Sequence, residues 1–291
     1  MTDSSDSSSD RQVREGYLSD AENAAEMARL MVQDRLLTQA MGGVIPERID
    51  LSQVHHALDI GCGPGGWLLD LVTQYPHIQG VGIDISHLMM EYATHLATSQ
   101  GLANAQFRVM DATQPLQFAD NTFDLVNGRI MMGFLTTHQW SPLLQECYRI
   151  TRPGGTLRLA EAEWGFTNSA ALDRFSGLAA LSFYRAGHSF SPHGRTFGTT
   201  NMLSLFLKRA KYENIQQRAY AIDFSAGTAI HESNRQNLLI VYKLLQPLFV
   251  QMQLVSQQEL DRLYEQMEEE IQAEDFCGID YYLTVYGRKQ E

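Results

Sequence analysis

One stretch limits the folds open to this chain more than any other: Leu58 to Trp67, reading LDIGCGPGGW. An apolar strand climbs from Ala57 to Ile60, and Gly61, Gly63, Gly65 and Gly66 then turn the backbone into a helix that begins near Trp67. Glycine tolerates positive φ and has no Cβ to hold a ligand away from the main chain. A strand, a glycine turn and a helix N-terminus together present free N–H groups to an anionic ligand atom. The glycines read as GxGxxG (Gly61, Gly63, Gly66), the dinucleotide fingerprint, and equally as GxGxG (Gly61, Gly63, Gly65).

The flanking sequence alternates. A helix to about Gln74 stops before Pro76, and the strand GVGID ends at Asp84. Ser86 caps a helix to about Ser99, the strand AQFRVMD ends at Asp111, and FDLVNG is a fourth strand. Ser141 and Pro142 open a helix to about Ile150, and RPGG leads into the fifth strand, TLRLAEAE. Strands alternating with helices imply right-handed βαβ units and a parallel sheet. Further on come a helix over about 169–184, an irregular stretch, a short helix from Thr200, and a sixth strand, IQQRAYAIDFS. Two helices follow, and then a last strand from Ile279 to Lys289. The connection before that strand is too long for a hairpin and reads as a folded helical lid over 225–276.

At the N-terminus, residues 1–15 form a Ser/Asp-rich tail with nothing to bury and are expected to be disordered. Residues 16–50 are expected to hold a cap helix with an S-x-x-E capping box at Ser19 and Glu22, ended by Gly42 and Gly43. The core is then 51–224 with 277–291. The net charge of −12 makes nucleic acid and anionic membrane poor partners. Three cysteines (Cys62, Cys147, Cys277) without CxxC spacing argue against a disulfide framework or a metal site and suit a reducing cytoplasm. No run is long and apolar enough to span a membrane.

In an open parallel sheet, ligands bind at the carboxyl ends of the strands, where the strand order reverses. Asp84, about twenty residues beyond the glycines, is placed to accept from both hydroxyls of a ribose. To this point a nicotinamide dinucleotide fits equally well. Two further acids favour a different ligand. Asp111, beside Ala112 at the third strand end, is suited to an adenine amine, and Asp59, just before the glycines, suits an ammonium group where a diphosphate would be repelled. Adenine, ribose and a zwitterionic amino-acid tail together describe S-adenosylmethionine.

The ordered segments LDIGCGPGGW, GVGIDIS, FRVMDATQPLQFADNTFDLVNGR and RPGGTLRLAE resemble the consecutive motifs of class I S-adenosylmethionine-dependent methyltransferases. The resemblance is nearest to the small-molecule enzymes akin to those of ubiquinone and menaquinone biosynthesis, and it covers about Tyr17 to Glu163. It implies a Rossmann-like, doubly wound α/β fold. The sheet would have seven mostly parallel strands with an antiparallel last strand, capped by the N-terminal helix and the helical insertion. Gly61, Gly63 and Gly65 would approach the methionine moiety and Asp59 would hold its ammonium. Asp84 would take the ribose, Ile85 would pack on the adenine, and Asp111 with Ala112 would read the adenine edge. Asn127 would line the methionine tail and Tyr17 would close over the cofactor. Methyl transfer would proceed by direct displacement onto a small-molecule acceptor.

The second half carries the acceptor. Trp164 and Phe166 follow the fifth strand, and FYRAGHSFSPHGRTFG sets Tyr184 and Arg195 among aromatics as substrate candidates. His188 and His193 in that loop are candidate bases or substrate hooks. Cys62 reads as a small loop residue and not as a nucleophile. Three rival readings stand beside methyl transfer: a nicotinamide-dependent oxidoreductase, a methyltransferase acting on a macromolecule, and a protein that binds S-adenosylmethionine without transferring its methyl.

Overall fold

The computed structural model describes residues 22–47 and 49–291. The N-terminal tail, Tyr17 and Ser19 lie outside the described residues. Seven strands form one sheet: β1 (His56–Ile60), β2 (Gln79–Asp84), β3 (Ala105–Val109), β4 (Phe123–Arg129), β5 (Thr151–Thr167), β6 (Tyr212–Asp223) and β7 (Gly278–Lys289). Their order is β3-β2-β1-β4-β5-β7-β6. β1 pairs in parallel with both β2 and β4, so the order reverses beside the glycine turn. β7 runs antiparallel between β5 and β6, which is the expected doubly wound α/β sheet with a reversed last strand.

The helices are α1 (Ala24–Ala40), α2 (Gly66–Gln74), α3 (His87–Ser99), α4 (Trp140–Ile150), α5 (Ala170–Arg185), α6 (Leu203–Arg209), α7 (His231–Gln251) and α8 (Gln257–Gln272). Their ends follow local chemistry. Asn23 caps α1, its Oδ1 accepting from the Ala25 and Glu26 amides. Ser86, Ser169 and Ser256 cap α3, α5 and α8 in the same way. Gly42 and Gly43 follow α1 with positive φ. α4 opens at Trp140, one residue before the expected Ser141, which leaves Pro142 in the first turn, where its missing N–H has no helical partner to lose.

β5 departs from expectation at both ends. RPGG is already part of the strand, and the pairing with β4 slips between Thr151 and Thr156 with Gly154 at φ +75°. At the other end the strand continues past Glu163 to Thr167, because β7 offers it ladder partners as far as Gly278.

The central strands are buried on both faces. Leu58, Ile60, Ile83, Val126, Leu157 and Val285 join α4 and α6 in one core. Ala57, Leu68, Leu71 and Leu125 pack with the segment around Val44–Val54 in another. A separate core joins α5, α7 and α8 through Phe175, Tyr242, Phe249, Leu260 and Met267. The two helices between β6 and β7 are therefore packed onto α5, and Trp164 at the end of β5 stacks on Tyr242 of α7 with ring centroids 5.4 Å apart.

Ser86 is fully buried and its Oγ accepts from the Met89 amide at 3.1 Å. Replacing Ser86 by Ala leaves that helix donor without a partner, and we expect a loss of about 1–2 kcal/mol in stability, read as a lower urea midpoint at unchanged m-value.

Candidate functional site

The tips of β1, β2, β3, β4, β5 and β7 surround one cavity of about 500 Å³, closed from above by α1 and α7. Gly61 and Gly63 line it with φ of +63° and +52°, and Cys62 sits between them. Gly61 has a second reason to be glycine: a Cβ there would meet the Phe134 ring at 2.8 Å. Gly65 does not line the cavity. It caps α2 at φ +84°, and the Phe107 ring lies 2.7 Å from where its Cβ would be, so its smallness serves packing. The Cys62 thiol is pushed up by burial and by the carboxylates of Asp84 and Asp59, which keeps it protonated and unreactive.

Asp84 and Asp111 stand at neighbouring strand tips and both line the cavity with Ile85 and Ala112. Asp84 Oδ2 accepts from the Gly63 amide at 2.9 Å and Oδ1 from the Ser86 amide at 3.0 Å. Burial raises its pKa while those two donors oppose the rise. Asp111 holds the Thr113 amide and hydroxyl on Oδ1 alone, at 2.8 and 2.7 Å. Each carboxylate therefore keeps acceptor positions beyond its loop bonds. Two acids side by side suit a ribose and a neighbouring base edge.

Asp59 closes the floor of the cavity. Burial pushes its carboxyl up to about 7, against the opposing pull of Arg129 and the Asn127 amide. Asn127 itself is fully buried and does not line the cavity. Its role is one step back. Its Nδ2 donates to Asp59 Oδ1 at 2.7 Å, while its Oδ1 accepts from Arg158 Nη1 at 2.8 Å. Arg158 is in turn held by Glu47 through two bonds of 3.0 Å. Arg129, from the tip of β4, pairs with Asp34 of α1. Ile130 follows at φ +53°, a conformation unfavourable for a β-branched residue, and lines the cavity.

The other expected acceptor residues divide. Trp164 lines the cavity. Phe166 is 80% exposed, because the longer β5 carries it past the rim. Tyr184 is exposed, and its neighbour Phe183, turned about 100° around α5, faces the cavity instead. Arg195 is exposed, while Phe197, two residues on, lines the wall. His188 is buried behind the cavity with Nδ1 3.0 Å from the Met132 carbonyl, and burial lowers its pKa. It supports the Met132 turn and touches no open space. His193 is exposed on the outer loop and does not line the cavity. Neither histidine is placed to act as a base.

Reading the sequence passed over several lining residues: Asp34, Ile130, Phe134, Glu163, Asn237 and Asp280. Glu163 is spent on the 197–200 loop, accepting from the Phe197 and Gly198 amides at 2.8 and 2.7 Å. Asp280 carried a signal, since it alternates with Tyr282 on one face of the last strand and is the acid of that strand. No group of metal-binding side chains occurs among the described residues, and no helix there is long and apolar enough to cross a membrane.

Glu161 lies behind the cavity, where burial raises its carboxyl to about 8 and its oxygens accept from the Met131 and Met132 amides. The acid form is favoured in the folded state, so its contribution is fully present below the unfolded value near 4.5 and is lost as pH rises through about 8. Gln at this position keeps an acceptor and never ionises. We expect Glu161→Gln to flatten the fall in Tm between pH 5 and pH 8, leaving the variant more stable than the parent at pH 8 by roughly several degrees in a thermal scan.

Comparison with known proteins accords with this geometry. A family model described as "Methyltransferase domain" matches residues 57–155. A demethylmenaquinone methyltransferase of Lactiplantibacillus plantarum is 28% identical over 196 residues, 62% of this chain and 79% of that protein. Among solved structures, the YcgJ protein of Bacillus subtilis superposes with a TM-score of 0.51 at 18% identity, over 81% of this chain and 92% of that one. The [4+2]-cyclase SpnF superposes with a TM-score of 0.52 at 17% identity, over 93% and 97%. At such identities the two structures speak for the fold alone. With the ordered motifs and this match, residues 57–155 form a methyltransferase domain, and the chain resembles the class I S-adenosylmethionine-dependent methyltransferases of menaquinone and ubiquinone biosynthesis.

Proposed function

We propose that the cavity holds S-adenosylmethionine over the tips of β1 to β3 and a small, largely apolar acceptor between β4, β5, β7 and α7. The observation that carries this reading is the pairing of Asp84 and Asp111 at adjacent strand tips beside the glycine turn, all lining one cavity. The donor set fits the cofactor. Asp84 and Asp111 retain free acceptor positions, and a Cβ on Gly63 would meet only Leu30 and Met89, at 3.7 and 3.8 Å, both of which line the cavity themselves.

In this reading Asp84 holds the ribose hydroxyls, Asp111 and the Ala112 main chain take the adenine edge, and Ile85 packs against the base. Asp59 faces the ammonium, and a cation there favours the ionised form that burial resists. Asn127 orients Asp59. Tyr17 belongs to the proposal as a cover for the cofactor, and it lies outside the described residues. When bound, S-adenosylmethionine supplies a methyl carbon already activated on a sulfonium, so the chain's task is alignment and exclusion of water. Met132, Phe134, Trp164, Phe183, Phe197 and Leu238 supply the dry wall for that task.

The acceptor half is mainly apolar and aromatic, which suits a ring compound, and the name of the Lactiplantibacillus relative points to a quinone-type acceptor. The helices between β6 and β7 act as the cover of this half, with α7 contributing Asn237, Leu238, Val241 and Leu245 to the wall. The acidity of the chain and the roofed cavity favour a small acceptor over a macromolecule, and the cysteine pattern favours a reducing cytoplasm.

Asp84→Ala removes charge-assisted hydrogen bonds to the ribose, each worth about 1.5–3 kcal/mol. We expect S-adenosylmethionine affinity by calorimetry to fall by about one to two orders of magnitude. Wild-type affinity in that variant rules out the ribose assignment. The reaction itself is tested by S-adenosylhomocysteine release over a panel of quinols and other small aromatic acceptors. Tight cofactor binding with no product from any of them would favour a protein that holds the cofactor without using its methyl.

A further inference from the structure

The acceptor half of the cavity holds two carboxyl groups on strands, and they differ in how they are used. Glu163 accepts from two backbone amides and from the Thr200 hydroxyl, which fills its oxygens and fastens the 197–200 loop. Among the described residues Asp280 has no cationic partner. Its side chain is met by Asn234 Nδ2 at 3.4 Å, a long contact, and by the Gly165 amide. A carboxylate has about four acceptor positions, so Asp280 keeps room for another donor. Elsewhere around the cavity Glu26 pairs with Arg29 and Asp34 with Arg129, and the acids that keep acceptor positions, Asp59, Asp84 and Asp111, stand in the cofactor half.

The surroundings make an unfilled carboxyl costly. Asp280 shares a β7 face with Tyr282, which also lines the cavity, and Leu238, Val241, Leu245 and Trp164 supply apolar surface to the same chamber. Burial raises its carboxyl to about 7. A strand residue in an apolar chamber gains nothing for packing from a carboxyl that Leu would not supply better. Position adds a length. β7 is two strands from β4 in the sheet. At about 4.8 Å per strand, Asp280 is displaced roughly 10 Å sideways from β4, and it lies beyond Tyr281, the partner of Glu163, whereas Arg129 at the β4 tip pairs with Ala160, so Asp280 stands at the far side of the chamber from that tip.

We propose that Asp280 is the acceptor-recognition residue of this enzyme, receiving a hydrogen bond from a hydroxyl or ammonium group at the far end of a flat, apolar ring compound. This rests on the methyl-transfer reading, which makes this half of the cavity the acceptor's. Asp280 touches the acceptor at the end away from the methylated atom, so it sets which ring compounds bind. Asn234, contributed by α7, steadies its carboxyl from behind.

The test uses full-length protein saturated with S-adenosylhomocysteine and three naphthalene probes titrated by calorimetry: 2-naphthol, 2-aminomethylnaphthalene and 2-methoxynaphthalene. One donated hydrogen bond to a carboxylate is worth about tenfold or more in affinity. The wild type is expected to bind naphthol, the aminomethyl compound, or both at least about tenfold more tightly than the methoxy compound, which cannot donate. Asp280→Leu is expected to bring the three probes within about twofold of one another at unchanged S-adenosylhomocysteine affinity. Asp280→Asn separates the two sources. It retains an acceptor oxygen and keeps most of a hydroxyl preference, whereas an ammonium preference disappears with the charge. Wild type that treats the three probes alike overturns the proposal, as does a preference that survives in Asp280→Leu. The parent's own discrimination remains decisive if the Leu variant does not fold. Failure of the wild type to bind S-adenosylhomocysteine overturns the cofactor reading as well, and is seen before any probe is added.

Discussion

A buried ion pair holds the site's geometry in place. Arg158 sits in the middle of β5, 1% exposed, and lies against Glu47 from the segment before β1. Removing both charges from water costs several kcal/mol per ion, and a pair like this survives only where its hydrogen bonding is close to complete. Here Glu47 takes two guanidinium bonds and the Tyr220 hydroxyl, and a third Arg158 donor, on Nη1, goes to Asn127 Oδ1. That last bond has a directional consequence. With its oxygen committed to Arg158, Asn127 must turn its amide donor toward Asp59. The orientation of an asparagine that never reaches the cavity thus fixes the acid that does. The chain Glu47, Arg158, Asn127, Asp59 runs across three adjacent strands, β5, β4 and β1, so a disturbance near residue 47 is felt at the cavity floor.

The same pair marks how far sequence alone could go. Strand tips are legible because their chemistry is local: a glycine turn, an acid at the end of the next strand, another at the end of the third. Asp84 and Asp111 fall where that rule puts them. The seven mostly parallel strands and the reversed β7 are implied by the family resemblance, and the structure has both. Contacts between residues distant in sequence were not legible. Asn127 sits beside cavity residues in the chain and was assigned to the cavity, but its amide is consumed by partners from β1 and β5. Arg158 looked like any basic residue in a strand because nothing local announces Glu47, 111 residues away.

The far half of the cavity departs from the sequence expectations for a related reason. The segment richest in polar and aromatic side chains, from the end of α5 through the following loop, holds the candidates Tyr184, His188, His193 and Arg195. That segment does reach the cavity, but through Phe183 and Phe197, and turns its polar members outward or into the packing. An apolar chamber is lined by the apolar face of each element. Helix phase, which separates Phe183 from Tyr184, was the signal available, and it was outweighed by the chemical appeal of the histidines. Strand phase would likewise have separated Asp280 and Tyr282 from Ile279 and Tyr281, which are exposed.

Fold and chemistry separate at this chamber. The [4+2]-cyclase SpnF superposes on 93% of the chain, so the sheet and its helices do not by themselves dictate methyl transfer. On the proposed reading, the cofactor half is set by the glycine turn and two acids, features tied to β1, β2 and β3. The acceptor half is walled by β7, by the end of β5 and by helices whose core, built on Phe175, Tyr242 and Phe249, is distinct from the cores under the sheet. That separation lets one half change with little effect on the other. A substitution on α7 or β7 alters the chamber wall without passing through the Arg158 chain. A substitution in that chain alters Asp59 and leaves the wall as it was. On the proposed reading, acceptor specificity is thus carried by a layer that the parallel sheet supports and does not determine.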